Sequence, residues 1–213
     1  MITGQDFIII SSLDWGFLWQ GPHEIATRLA RAGNRVLYIE NTGVRAPKLR
    51  DARRVGRRVK SWAQAAASSG LQQIEENLFV CSPLVMPPFS PGWPEKLNRS
   101  VFLRAIARTV RKLEMSDPVC WTFLPTDTAN AIIQLLRSPR SITLYYCVAD
   151  FAQLVTKPRE LLKSEAKLIE MADLVLAQGQ QLADHWGQAA ERVHIMPYGV
   201  DLTLFSQRSN PGA

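Results

Sequence analysis

Phe7-Ile8-Ile9-Ile10-Ser11, then Pro22-His23-Glu24-Ile25-Ala26-Thr27-Arg28-Leu29-Ala30-Arg31, then Arg35-Val36-Leu37-Tyr38-Ile39 is a strand, a helix and a strand within 33 residues. The outer runs are apolar and β-branched. The middle run places Ile25, Ala26, Leu29 and Ala30 at a helical period, and Gly33 ends it. The same alternation continues outward. Leu78–Cys81, Pro118–Phe123, Ser141–Val148, Asp173–Ala177 and Arg192–Met196 read as further strands. Helical patterns cover Glu95–Leu113, a segment capped by Thr126-Asp127 and running to Leu136, Pro158–Met171 and Gln180–Trp186. Strands this apolar, separated by helices, predict an α/β fold. Its sheet is doubly wound and mainly parallel, Rossmann-like, with helices on both faces. In such sheets ligands bind beyond the carboxyl ends of the strands, so function is sought in the residues that follow each strand.

With 213 residues and 46% hydrophobic content the chain buries a core of its own. It contains no apolar run of spanning length, and its N-terminal apolar stretch is too short for a secretory signal. Cys81, Cys120 and Cys147 are odd in number, widely spaced and set in strand-like surroundings. They read as buried reduced thiols, which fits a cytoplasmic location. No metal-ligand spacing occurs among Cys and His, so no metal is expected.

The net charge of +6 is concentrated. Arg45, Lys48, Arg50, Arg53, Arg54, Arg57, Arg58 and Lys60 face a single acid, Asp51. Such a block is a solvated helix face, an anionic-membrane contact or, third, a nucleic-acid contact. For the membrane reading, Arg50, Arg53, Arg54, Arg57 and Arg58 meet the headgroups and Trp62 sits at their level. The Pro-rich stretch with Met86, Phe89 and Trp93 adds apolar contacts, and the location becomes peripheral on the inner face of the cytoplasmic membrane. No nucleic acid is expected, because aromatics are not interleaved with the charges.

The loop after the first strand, Ser11 to Pro22, is too long and too aromatic for the tight Gly-x-Gly-x-x-Gly turn of a dinucleotide site. Trp15, Phe17 and Trp19 either pack over the sheet edge or line a sugar or lipid site. Gln20 and Gly21, at the helix start, are placed to offer backbone amides to a diphosphate. Asp150 follows the fifth of these strands and is the first candidate for chemistry. A sugar-transfer reaction needs a base for the acceptor hydroxyl, and the alternative role for Asp150 is a cap. His23 is the second candidate, with helix packing as its alternative. Asp14 is a weaker base candidate. Trp121 and Gln178 complete the expected cleft lining.

The run from Asp14-Trp15 through Trp19-Gln20-Gly21-Pro22-His23 to Tyr38-Ile39-Glu40 resembles the N-terminal half of family-4-like bacterial glycosyltransferases of the GT-B fold. Val119–Pro125, Leu144–Phe151, Glu165–Leu174 and Pro197-Tyr198-Gly199-Val200-Asp201 extend the resemblance over nearly the whole chain. Three positions depart from the family pattern. Gly21 stands where that family has Arg, Glu24 where it has His, and Asn34 where it has His after the glycine. The resemblance implies an acceptor-side domain at residues 1–200. A linker would start at 201–213 and lead to a donor domain, supplied in cis or in trans. It implies sugar transfer from a nucleotide sugar to a lipid-linked or cell-envelope glycan, with no further cofactor and no activity from this half alone. A non-catalytic binding module is the alternative.

Overall fold

The structure is a computed structural model that describes residues 2–40, 70–82, 95–154, 158–185 and 191–199. The basic block, the Pro-rich stretch and the segment beyond Gly199 lie outside the described residues.

Among the described residues eight strands form one sheet: β1 (Asp6–Ile10), β2 (Arg35–Ile39), β3 (Leu71–Glu75), β4 (Leu78–Cys81), β5 (Val119–Thr122), β6 (Ile142–Cys147), β7 (Leu174–Ala177) and β8 (Val193–Ile195). The helices among the described residues are α1 (Gly21–Arg31), α2 (Glu95–Lys112), α3 (Asp127–Leu136), α4 (Pro158–Met171) and the single turn α5 (Gln180–Ala183). A 3-10 turn at Phe151–Leu154 follows β6. The spatial order is β3-β4-β2-β1-β5-β6-β7-β8. Every pair is parallel except β3 with β4.

Alternation along the strands builds two cores. Ile8 and Ile10, Leu37 and Ile39, and Tyr145 and Cys147 point to one face, where Phe102, Ile106 and Val110 of α2, Ile132 and Ile133 of α3 and Leu168 of α4 cover them. Phe7 and Ile9, Val36 and Tyr38, and Leu144 and Tyr146 point to the other, where Ala26 and Ala30 of α1 pack. The parallel sheet is therefore buried on both sides, as the near-continuous apolar strands require. Cys81, Cys120 and Cys147 are buried free thiols. Thr126 caps α3 by accepting the Ala129 N–H at 3.2 Å.

β3 was not legible in the sequence. Leu71-Gln72-Gln73-Ile74-Glu75 is half polar because it is an edge strand, exposed along Gln72 and Gln73. It folds back on β4 with a register shift after Gln73. The Arg31–Glu75 ion pair, 2.8 Å, fastens it to the last turn of α1.

The end of the sheet away from the strands' carboxyl termini is closed by a polar clamp. Arg35 grips Asp6 with two hydrogen bonds of 2.8 and 3.0 Å, and the Ser116 N–H donates to the same carboxylate at 2.8 Å. At the carboxyl edge, the chain leaves β1 toward β2 on one side while β5 lies on the other. This is the topological switch point where such sheets open a crevice.

Candidate functional site

The loop after β1 is ordered by groups from three strands. Tyr38 of β2 donates its hydroxyl to the Leu13 carbonyl at 3.1 Å, and Ser11 accepts the Leu13 N–H at 3.1 Å. Glu40, just past β2, accepts the Trp15 N–H at 2.6 Å with one carboxylate oxygen and the Ser82 hydroxyl with the other. In dinucleotide-binding folds an acidic residue near this place holds a ribose. Here that carboxylate holds the loop instead.

His23 is completely buried. Its Nδ1 accepts the Gln20 N–H at 3.1 Å, so the ring proton is on Nε2, which donates to the Asp14 carbonyl at 3.3 Å. The ring lies stacked between Trp19 and Tyr38, with centroids 5.4 and 5.5 Å away, and Trp15 meets it edge-on at 5.3 Å. Burial lowers its pKa below the ordinary value and keeps it neutral. The geometry gives His23 the work of fixing the helix start, the packing alternative to its chemical candidacy.

Of the two amides expected to meet a diphosphate, at Gln20 and Gly21, that of Gln20 is already engaged within the protein. The Gln20 N–H goes to His23, Pro22 has none, and the His23 and Glu24 N–H groups both donate to the Gln20 carbonyl. Tyr198 also lies against Gly21: a Cβ there would stand 2.7 Å from its ring. Gly21 is thus the residue that lets Tyr198 close over the first turn of α1. Tyr198 meets Tyr146 edge-on at 5.6 Å, and Tyr146 donates to the Met196 carbonyl at 2.6 Å. These contacts seat the segment after β8 at the switch point.

Trp15 packs inward. Trp19 is 55% exposed and adjoins Phe17 and Leu18, which are 43% and 71% exposed, so the loop tip carries an apolar surface. The Trp19 indole N–H donates to Glu24 at 2.8 Å. Asp14 sits partly buried in the same loop. Trp121, by contrast, lies within β5, paired with Ile9 and Leu144, and stacks on Phe123 in the core. It belongs to the sheet rather than to the loop edge. Gln178 follows β7 and ties its N–H to the Cys147 carbonyl at 3.0 Å.

Asp150 lies beyond β6 at the carboxyl edge. One carboxylate oxygen accepts the Ala152 N–H at 3.1 Å and the other the Gln153 side chain at 2.7 Å. It therefore caps the following 3-10 turn and also lines a pocket of about 240 Å³. The pocket is bounded by Cys147, Ala149 and Asp150 after β6, by Leu162, Glu165, Ala166 and Ile169 of α4, and by Leu182 and His185. Glu165 accepts the Tyr145 hydroxyl at 2.6 Å. Burial first, then the charge of Asp150, pushes the Glu165 pKa up. His185 Nε2 stands 4.0 Å from Asp150. Burial raises Cys147 to about 11, so this thiol stays protonated.

The sequence had pointed to Asp150 through its place after a strand. Glu40, Glu165 and His185 carried no local signal, because they reach the site across 25, 20 and 35 residues from their partners Trp15, Tyr145 and Asp150.

No protein-family description and no curated protein matches this chain. Solved structures do. The sucrose-phosphate synthase of Thermosynechococcus elongatus superposes with a TM-score of 0.60 at 14% identity, over 94% of this chain and 49% of that one. A shorter form of the same synthase gives 0.57 at 14% identity, over 94% of this chain and 93% of that one. The chain thus spans about half the length of the full synthase. At this identity the likeness is one of fold: a Rossmann-like, mainly parallel α/β sheet, one half of a GT-B architecture.

Proposed function

We propose that this chain is the acceptor-side half of a sugar-transferring enzyme of the GT-B type, related to the family-4-like bacterial glycosyltransferases. The observation that carries the reading is the position of Asp150. It stands beyond a parallel strand, beside a pocket at the carboxyl edge, on a sheet that follows half of a sucrose-phosphate synthase.

In this reading the acceptor, a lipid-linked or cell-envelope glycan, lies along the edge formed by the loop after β1 and the pocket after β6. Asp150 takes the proton from the acceptor hydroxyl as that oxygen attacks the sugar carbon. The apolar tip of Phe17, Leu18 and Trp19 offers a surface for a sugar face or a lipid. His23 and Glu40 position that loop. The nucleotide-sugar donor binds mainly to a second domain, supplied in cis or in trans. The engagement of the Gln20 amide by His23 is in keeping with the diphosphate being held elsewhere.

The Arg45–Lys60 block draws the protein to an anionic bilayer from the cytoplasmic side, at about 1 kcal/mol per basic residue near the surface. Among the described residues no helix is long and apolar enough to cross a membrane.

The test is turnover. The purified chain, given UDP-glucose and a membrane glycolipid extract, is expected to transfer no sugar. With a donor domain restored it is expected to transfer, and Asp150→Asn in that assembly is expected to cut kcat by about 10²- to 10⁴-fold. Turnover by this chain alone contradicts the half-enzyme reading. An unchanged kcat in Asp150→Asn contradicts the assignment of the base.

A further inference from the structure

We propose that Trp19 is a stacking platform for the apolar face of a neutral pyranose ring. Three near-parallel rings form a column that starts in the sheet and ends at the surface. Tyr38 of β2 and His23 of α1 are completely buried and stack at 5.5 Å with an interplanar angle of 19°. Trp19 lies on His23 at 5.4 Å and 25°, and Trp15 meets it edge-on at 5.6 Å. The indole N–H is engaged as well. It donates to one carboxylate oxygen of Glu24 at 2.8 Å, and Arg28 donates to the other at 2.6 Å. The ring is held from beneath and along its edges, yet Trp19 stays 55% exposed. The exposed part is therefore chiefly the face turned away from His23. An indole fixed in this way has lost its rotamer freedom on folding, so a ligand lying on it has little left to immobilise.

Place and surroundings select the ligand. The loop leaves β1 at the carboxyl edge beside the switch point, where sheets of this kind receive ligands. A bare aromatic face takes flat apolar surfaces: the C–H face of a pyranose, a nucleobase or a lipid chain. The Glu24–Arg28 ion pair at the edge of the indole separates these. Both of its side chains reach solvent. A bilayer that took in the Trp19 ring would strip water from that pair, which is unfavourable. A sugar covers the face alone and leaves the pair wet at the rim, with an acceptor and a donor beside the ring hydroxyls. The pair is net neutral, which suits a neutral polyhydroxy ring rather than a nucleotide and its phosphate. Tyr198, 42% exposed, lies against Gly21 two residues on, so aromatic surface continues past Trp19 along the helix start. Assigning the stacked ring to the acceptor rests on the sugar-transfer reading; the platform itself rests on the column of rings.

The experiment is a titration of the ¹⁵N-labelled full chain with methyl β-glucoside, sorbitol and uridine. It is read at the Trp19 indole N–H, assigned by its loss in Trp19→Phe, and by saturation transfer to the ligand C–H protons. It needs no donor and no turnover, so its failure is separate from failure of the transferase reading. The glucoside is expected to move the indole resonance saturably, with a millimolar dissociation constant. Sorbitol, which has the hydroxyls but no ring face, and uridine are expected to bind at least about tenfold more weakly. Trp19→Ala removes a surface side chain, is expected to leave the circular dichroism unchanged, and is expected to weaken the glucoside by about tenfold or more. Glu24→Ala keeps the ring but releases its N–H, and is expected to weaken the glucoside by about threefold to tenfold; Glu24→Gln, which still offers an acceptor, is expected to restore it. Glucoside affinity unchanged in Trp19→Ala or in Glu24→Ala overturns the proposal, as does sorbitol or uridine binding as tightly as the glucoside. Fluorescence quenching by brominated phosphatidylcholine vesicles that disappears in Trp19→Phe gives the ring to lipid and overturns it too.

Discussion

Replacing His23 by Ala is expected to destabilise the fold by about 3 kcal/mol, a large loss for one imidazole. The figure follows from what the ring touches. It accepts the Gln20 N–H, a helix-capping bond, and donates to the Asp14 carbonyl, each worth about 1 kcal/mol net. It is stacked between Trp19 and Tyr38, and aromatic pairs contribute about 0.5–1.5 kcal/mol each beyond their buried area. The site is fully buried, so truncation also leaves a void. The assay is urea denaturation at pH 8 followed by far-UV circular dichroism, with the m-value required to stay constant. The pH dependence gives a second reading. Burial depresses the pKa of His23 from its ordinary 6.5, so the fold favours the neutral ring. Its contribution is fully present above pH 6.5 and is lost as pH falls through the depressed value. In His23→Gln that part of the acid sensitivity is expected to disappear. A loss below about 1 kcal/mol in His23→Ala, the range of surface substitutions, together with an unaltered acid limb in His23→Gln, refutes the positioning role.

Three further outcomes are expected. Gly21→Ala drives a methyl against the Tyr198 ring and should cost about 1–3 kcal/mol, outweighing the helix-propensity gain of up to about 1 kcal/mol; a net stabilisation in thermal unfolding would show that Tyr198 does not close over α1. Asp6→Ala breaks the clamp to Arg35 and Ser116 and should cost about 2 kcal/mol in chemical denaturation. Because it lies at the opposite end of the sheet, the amide shifts of Asp150 and Glu165 should remain those of the parent chain, and a change there argues against separate edges. Replacing Arg53, Arg54, Arg57 and Arg58 together by Gln should abolish salt-sensitive co-sedimentation with phosphatidylserine vesicles; unchanged sedimentation removes the membrane contact from the account.

The fold was legible because a buried parallel sheet writes itself as apolar runs separated by amphipathic helices. Pro158–Met171 and the Thr126 cap appear in the structure as read. The exception, β3, is an edge strand whose exposed Gln72 and Gln73 erase the apolar signal. The site was legible only in part. Asp150 follows a strand, and that position alone marks it. The burial of His23 and the engagement of the Gln20 amide depend on a side chain folding back over a helix start, which periodicity does not encode. Glu40 and Glu165 gain their meaning from partners on other elements. Trp121, expected as cleft lining, is paired within the sheet with Ile9 and Leu144, a placement that only the strand register reveals.

The central claim is that the carboxyl edge of this sheet receives the acceptor and not the donor. Chemical-shift mapping of the ¹⁵N-labelled chain, titrated separately with chitosan disaccharide and with UDP-glucose, tests it most directly. The account expects the disaccharide to shift amides at Asp150, Glu165 and His185 and in the loop from Asp14 to Trp19, while those at Asp6, Arg35 and Asp117 stay in place and UDP-glucose produces no saturable change. Saturable shifts with UDP-glucose, or none along that edge with the disaccharide, would contradict it.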